Sequence, residues 1–278
     1  WENDRSGFYP NPERTQQLDY TQHISAAYLE TRFQWHNKWS FRIGNRLEHT
    51  LNRIQNHAHI HDDYLTWTPG ASMSFTFQNT ATLTGSYTRR IQRPGISQLN
   101  PFANAADRLN VTLGNPYLRP ELTDIFDLSF AMPFKGGFLN GSTFYYRNHD
   151  VIEKLTTTGT DGVASSIYSN LGSSWLAGAN AYLTYQLTGI WSVRGGGNFN
   201  YFETDNSLNI NGVGNHGIQF NTFVMSGLEF KNGFSAEMLA AYAAPQLSIQ
   251  GTTRAFYTLQ TTFSQPVWHK KGAVTLVV

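Results

Sequence analysis

Side chains of opposite polarity alternate along this chain with a period of two, and that alternation constrains the fold more than any other feature. From Trp39, the apolar Phe41, Ile43 and Leu47 fall on one side of an extended chain. Ser40, Arg42, Gly44, Arg46 and Glu48 fall on the other. In the same way Leu83, Gly85 and Tyr87 oppose Thr82, Thr84, Ser86 and Thr88, and Ala177, Ala179, Ala181, Leu183 and Tyr185 oppose Asn180, Tyr182, Thr184 and Gln186. Trp191, Val193, Phe199 and Tyr201 oppose Ser192, Arg194, Asn198 and Asn200; Tyr257, Leu259 and Phe263 oppose Thr258, Gln260 and Thr262. Successive side chains of a strand point to opposite faces, so each segment reads as a strand with one greasy and one wet face. A water-soluble sandwich turns the greasy face inward. A membrane barrel turns it to lipid and lines its lumen with the wet one.

The connections separate these two readings. Short turns are expected at His36-Asn37, Gln78-Asn79, Pro133 to Gly137, Thr188-Gly189, Lys231 to Gly233 and Gln265 to Gly272. Longer connections are expected at Asn52 to Asp63, Ile91 to Leu122, Asp150 to Ser165, Glu203 to Gly217 and Ala243 to Thr253. Short and long alternate strictly, as periplasmic turns and external loops do in outer-membrane barrels. Trp35, Trp39, Phe77, Phe134, Phe138, Trp191, Phe230, Phe234, Phe263 and Trp268 lie close to the short turns, which predicts an aromatic belt at one lipid interface.

Composition agrees. Only 14% of the 278 residues are charged, against about 25% in a soluble domain. No stretch reaches the ~18 apolar residues of a helical span. The absence of cysteine excludes a disulfide framework and thiolate metal sites. A formal charge of +1 gives no reason to expect nucleic acid as a partner. About a dozen strands can be counted. A sheet edge cannot stand unpaired in hydrocarbon, so these strands close on themselves or further chain completes them. No signal-peptide pattern opens the sequence at Trp1, and Val278 falls inside a strand-like run, so a part of a longer polypeptide is expected.

The longest connection carries the most distinctive text. It runs from Arg89-Arg90-Ile91-Gln92-Arg93-Pro94 through Leu99-Asn100-Pro101-Phe102 to Gly114-Asn115-Pro116-Tyr117-Leu118-Arg119-Pro120-Glu121-Leu122-Thr123. This segment resembles the external loop of TonB-dependent receptor barrels, within the outer-membrane β-barrel family whose members are similar to those receptors. Tyr20 to Tyr28, Gly44 to Thr50 ("GNRLEHT"), Asn170 to Ser174 and Gln250 to Thr253 follow the same family in order, so the resemblance covers nearly the whole chain. It implies an all-β fold: a large antiparallel transmembrane barrel of 22 strands, of which about 12 are present, with residues 1–278 as part of that one domain. It also implies a multi-pass protein of the cell outer membrane, surrounded by outer-membrane lipids. Relatives carry an N-terminal plug and an energy-coupling box, neither of which is in this sequence, and the plug and TonB are the partners the resemblance implies. The activity it implies is binding and uptake of a bulky nutrient such as an oligosaccharide, a peptide or a metal chelate. The alternative is a structural or docking barrel, a subunit of an outer-membrane complex that holds surface lipoproteins or secretion components.

The family loop motif comprises Arg93, Pro94, Asn100, Pro101, Phe102, Gly114, Asn115, Pro116, Pro120 and Glu121. Its prolines fix φ and remove donors, and its Asn-Pro steps favour turns, so an ordered loop that braces the barrel rim is expected. Leu99, Phe102, Leu109, Leu113 and Tyr117 are its expected apolar anchors.

Five charged residues, Arg42, Arg46, Glu48, Arg90 and Arg194, fall on the predicted lumen side, where they could meet a plug's carboxylates or guide an anionic solute. Asp19 and His23 are assigned the same inward phase. His57, His59 and His61 have the spacing of a zinc or copper site in an extended segment, although solvated polar residues of an external loop are the simpler reading. Gly212 to Gly217 matches G-x-G-x-x-G without the following helix that phosphate binding needs, and reads as a loop tip. Gly195-Gly196-Gly197 is expected to relieve crowding within a strand. No nucleophile elbow or H-E-x-x-H motif is present, and neither an enzymatic role nor a cofactor is expected.

Overall fold

The computed structural model describes residues 2–4, 7–9, 18–55, 59–77, 80–107, 109–206, 216–245, 247–248, 251–252, 254–268 and 271–278. Among them, the alternating segments build one antiparallel sheet of twelve strands, each hydrogen-bonded to its neighbours in sequence. In order these are β1 (Asp19–Trp35), β2 (Trp39–Gln55), β3 (His59–Phe77), β4 (Ala81–Gln92), β5 (Glu121–Phe134), β6 (Gly137–His149), β7 (Gly172–Gln186), β8 (Trp191–Asn206), β9 (His216–Glu229), β10 (Ser235–Ala243), β11 (Phe256–Val267) and β12 (Gly272–Val277). Within the described residues β1 and β12 are not paired with each other, so the sheet is a wall with two edges.

The first hairpin turns at His36 and Asn37, both with positive φ (50° and 53°), the backbone that joins twisted strands most tightly. Gly136 and Gly233 supply the left-handed residue in two others. The Gln78-Asn79 turn lies outside the described residues. One expected long connection is corrected. Asn52 to Asp63 is mostly strand, because Thr50, Asn52 and Ile54 go on pairing with Tyr64, Asp62 and Ile60.

The greasy face is not a core. Leu29, Leu65 and Leu259 lie on it and are 71, 64 and 67% exposed, which a water-soluble sandwich would not tolerate. Register places Leu47, Trp67, Leu128, Leu183, Phe199 and Val224 on that face too. Its rings form two rows. At the short-turn end Phe33, Phe41, Trp39, Phe75 and Phe77 touch in succession, with centroids 4.5–6.1 Å apart. Phe230, Phe234 and Phe263 continue the row further round. Near the outer end a second row runs from Tyr87 through Phe126, Tyr145 and Trp175 to Tyr201, at 4.9–6.2 Å. Ten residue steps separate Trp191 from Tyr201. At about 3.3 Å rise and a tilt of about 40° they climb about 25 Å, the height of the apolar band of an outer-membrane barrel.

Two external connections fold together. Ile152–Thr158 pairs with Ala164–Asn170, and the latter runs parallel to Asn110–Leu113, which pairs with Asn104–Asp107. In β8, a Cβ on Gly196 would lie 2.9 Å from Ala181 O, 3.1 Å from the Phe223 ring and 3.3 Å from the Tyr182 ring. Glycine there lets two lumen-side rings close over the strand.

Candidate functional site

The wet face of the wall carries the candidate site. On β2 it presents Ser40, Arg42, Gly44, Arg46, Glu48, Thr50, Asn52 and Ile54 in turn. Arg42 stands opposite Arg32, whose Nε donates to Glu30 Oε1 at 2.8 Å. Gly44 and Gly70 face each other across β2 and β3, and the missing side chains leave a cavity of about 430 Å³, lined in part by Tyr28, Glu30, Arg42, Arg46, Thr68 and Thr88. Arg90 takes the inward phase at the outer end of β4, opposite Thr123. Arg194 donates from Nη2 to Glu237 Oε1 at 3.2 Å.

Asp19 and His23 do not join this face. They pair with Gln55 and Leu51 and share the phase of Leu47, on the outward side. The physical reason is that Tyr20 and Gln22 turn in instead and hydrogen-bond to Asn52 Oδ1 at 3.3 and 2.9 Å.

Residues 93–100 and 114–118 fold back over the outer half of β2. Arg46 and Arg93 both donate to the Glu48 carboxylate, which is 4% exposed. Pro94 is buried behind Arg93. A short helix, Ile96–Leu99, ends at Asn100, whose side-chain oxygen accepts from Phe102 N at 3.1 Å across half-buried Pro101. Gly114 N donates to Asn100 O at 2.8 Å and Asn115 N to Gln98 O at 2.6 Å. The approach requires glycine, since a Cβ at Gly114 would lie 2.6 Å from Gln98 O and 2.7 Å from Asn100 N. Asn115 Oδ1 accepts from Tyr117 N at 3.0 Å, across the half-buried Pro116.

Leu99 and Leu118 thereby pack on Ile54 of the wall. Two expected anchors are corrected: Leu109 and Tyr117 are 61 and 75% exposed. The turn at Asn115 points Tyr117 out and Leu118 in. Asn170 then clamps both partners of Arg119, accepting from its N–H at 2.9 Å and donating to its carbonyl at 3.0 Å. Pro120 is half-buried, and Glu121 Oε1 accepts from Ile152 N at 2.7 Å. Burial, with Glu121 nearby, pushes the carboxyl of Glu153 in the external hairpin above the usual range. At the joint, Thr50 Oγ1, Tyr64 OH and Arg93 Nε are buried without a hydrogen-bond partner among the described residues.

The histidine run does not assemble a site among the described residues. His57 lies outside them, as does the side chain of His59, and His61 stands on the outward face opposite Arg53. No three described His, Asp or Glu residues come close enough to hold a metal ion. Gly212 to Asn215 also lie outside the described residues. Sequence reasoning missed Arg32, Glu30 and Glu237 on the lumen face, all legible from the same alternation once register is known.

The model of the outer membrane protein beta-barrel family matches residues 2–278. This chain belongs to the outer membrane protein beta-barrel family. It is thus a protein of the outer membrane, and its apolar face is the lipid-facing one. No curated protein sequence matches it. Among solved structures it is similar to the copper transporter OprC, with a TM-score of 0.75 and 13% identity over 93% of this chain and 42% of that one. It is similar to the FrpB iron transporter of Neisseria meningitidis (TM-score 0.71, 12% identity, 95% and 42% covered). It is also similar to the ferric yersiniabactin uptake receptor FyuA of Yersinia pestis (0.64, 13%, 94% and 44%). The chain spans less than half the length of each, and at such identities the likeness is one of fold.

Proposed function

We propose that this wall belongs to a TonB-dependent receptor-like transporter that binds a bulky nutrient and passes it through the barrel lumen. The observation that carries the reading is the division of the lumen face. On β2 its outer half, from Glu48 to Ile54, is buried under the loop that carries Arg93, Leu99 and Leu118, and its inner half, around Arg42, Arg46 and the Gly44–Gly70 cavity, stays open. Arg42, with no acidic partner among the described residues, is placed to meet a carboxylate, whether of a plug or of a passing solute. The similarity in fold to a copper transporter, an iron transporter and a ferric-chelate receptor supports metal chelates as the first solutes to try.

The test is uptake of labelled ferric and cupric chelates, oligosaccharides and peptides by a deletion strain complemented with the full-length gene. Restored uptake of one class, lost again on uncoupling the inner membrane, is the expected result. Unaltered uptake of all of them, together with stoichiometric co-purification of surface lipoproteins, would replace the transporter reading with the docking one.

A further inference from the structure

One group of charges faces the wrong way for a lumen. Arg89, Asp124 and Arg147 stand directly opposite one another on β4, β5 and β6, two residues outward of Tyr87, Phe126 and Tyr145 and on the same lipid-side face. Arg89 donates to both oxygens of Asp124 at 2.8 and 2.7 Å, and Tyr87 OH donates to the first at 2.7 Å. His149 Nε2 lies 3.4 Å from the second. An outward Arg is costly at the bilayer midplane and nearly neutral at the interface, so this row marks the depth of the headgroups, just above the second aromatic row.

The charges of Arg89, Asp124 and Arg147 do not cancel. Arg89 already satisfies Asp124. Arg147 is exposed and has no hydrogen bond or ion pair among the described residues, although Asp124 is its register partner. Glu203 is in the same row, but Trp175 stands between it and Arg147. A free guanidinium at headgroup depth, with His149 beside it and a ring surface below, has the chemistry to grip a phosphate while the attached chains lie against protein.

We propose that Arg147, with His149 two residues on along the same face, binds the phosphate of a lipid headgroup in the outer leaflet, with the lipid's apolar part resting on Tyr145 and Trp175. The lipid is preferred to free phosphate because the ring row supplies an apolar contact next to the cation and fixes its depth. The site stands on the outer surface and does not depend on what the lumen carries.

The test is native mass spectrometry of the full-length protein in neutral detergent, with dioleoyl phosphatidic acid and dioleoylglycerol added in equal amounts. About fivefold more phosphatidic acid than diacylglycerol should remain bound, as one unpaired cation at headgroup depth provides. Arg147→Gln should bring the ratio to about one, and Arg147→Lys should keep most of it. Excess inorganic phosphate should leave the lipid in place. An unchanged ratio in Arg147→Gln overturns the site, and displacement by inorganic phosphate overturns its assignment to a lipid.

Discussion

The two halves of β2 share a strand, a face and an alternation, yet they live in different surroundings. Nearer the short turn, Ser40, Arg42 and Arg46 are open. From Glu48 outward, Thr50, Asn52 and Ile54 are all buried. Nothing in β2 itself makes the difference. It comes from residues 93–100 and 114–118, which bring Arg93 to Glu48 and lay Leu99 and Leu118 on Ile54. The lumen wall is therefore two surfaces, one that holds a loop and one that is left for whatever enters.

The strongest way to break this comparison is Glu48→Ala, which leaves Arg46 and Arg93 facing each other beneath the loop. It should destabilise the folded barrel by about 3 kcal/mol, the low end of the cost of stranding charge because Arg93 is largely buried while Arg46 is half exposed, read from urea unfolding of the full-length protein in micelles. A loss below 1 kcal/mol would mean the loop is held some other way.

The contrast across the sheet is nearly as large. Leu183→Arg, on the lipid side, should cost about 2–4 kcal/mol near the midplane, and Thr184→Arg, one residue on, far less. Equal costs would contradict the assigned phase.

Gly114→Ala sharpens the picture of the outer half. Its methyl group has no room against Gln98 and Asn100, so about 1–3 kcal/mol should be lost, with faster proteolysis of residues 93–120 while the barrel stays folded. Smallest of all is Arg42→Ala on the open half. Stability should change by less than about 0.5 kcal/mol, while binding of an anionic solute in an equilibrium assay weakens.

Much of this was legible in the sequence, and the misses have physical causes. The alternation from Trp39 to Glu48 needs only the pleat, so the two faces could be read directly. The short-turn belt could be read because its rings lie near recognisable turns, except that Phe138 pairs with inward Thr184 and faces the lumen. The second belt could not, because Tyr87, Phe126, Tyr145, Trp175 and Tyr201 are neighbours only across strands, through register that no single segment displays. Asp19 and His23 were assigned the wrong phase because β1 has no long apolar series, and its phase is set by Tyr20 and Gln22 reaching Asn52. Within Pro116-Tyr117-Leu118-Arg119, two adjacent apolar residues compete for one inward position, and the turn at Asn115 decides for Leu118. The lumen role of Glu48 was visible as a phase, but its burial depends on Arg93, 45 residues away.

The claim beneath all of this is that the apolar face meets lipid and the polar face meets water. Residues 1–278 contain no cysteine, so single cysteines at Leu183 and Thr184 can carry a spin label in the reconstituted full-length protein once any cysteine outside them is replaced by serine. The account predicts relaxation by oxygen, which partitions into lipid, for the label at 183, and relaxation by a water-soluble nickel chelate for the label at 184. Nickel accessibility that is equal at both sites, or the reverse of this order, would contradict it.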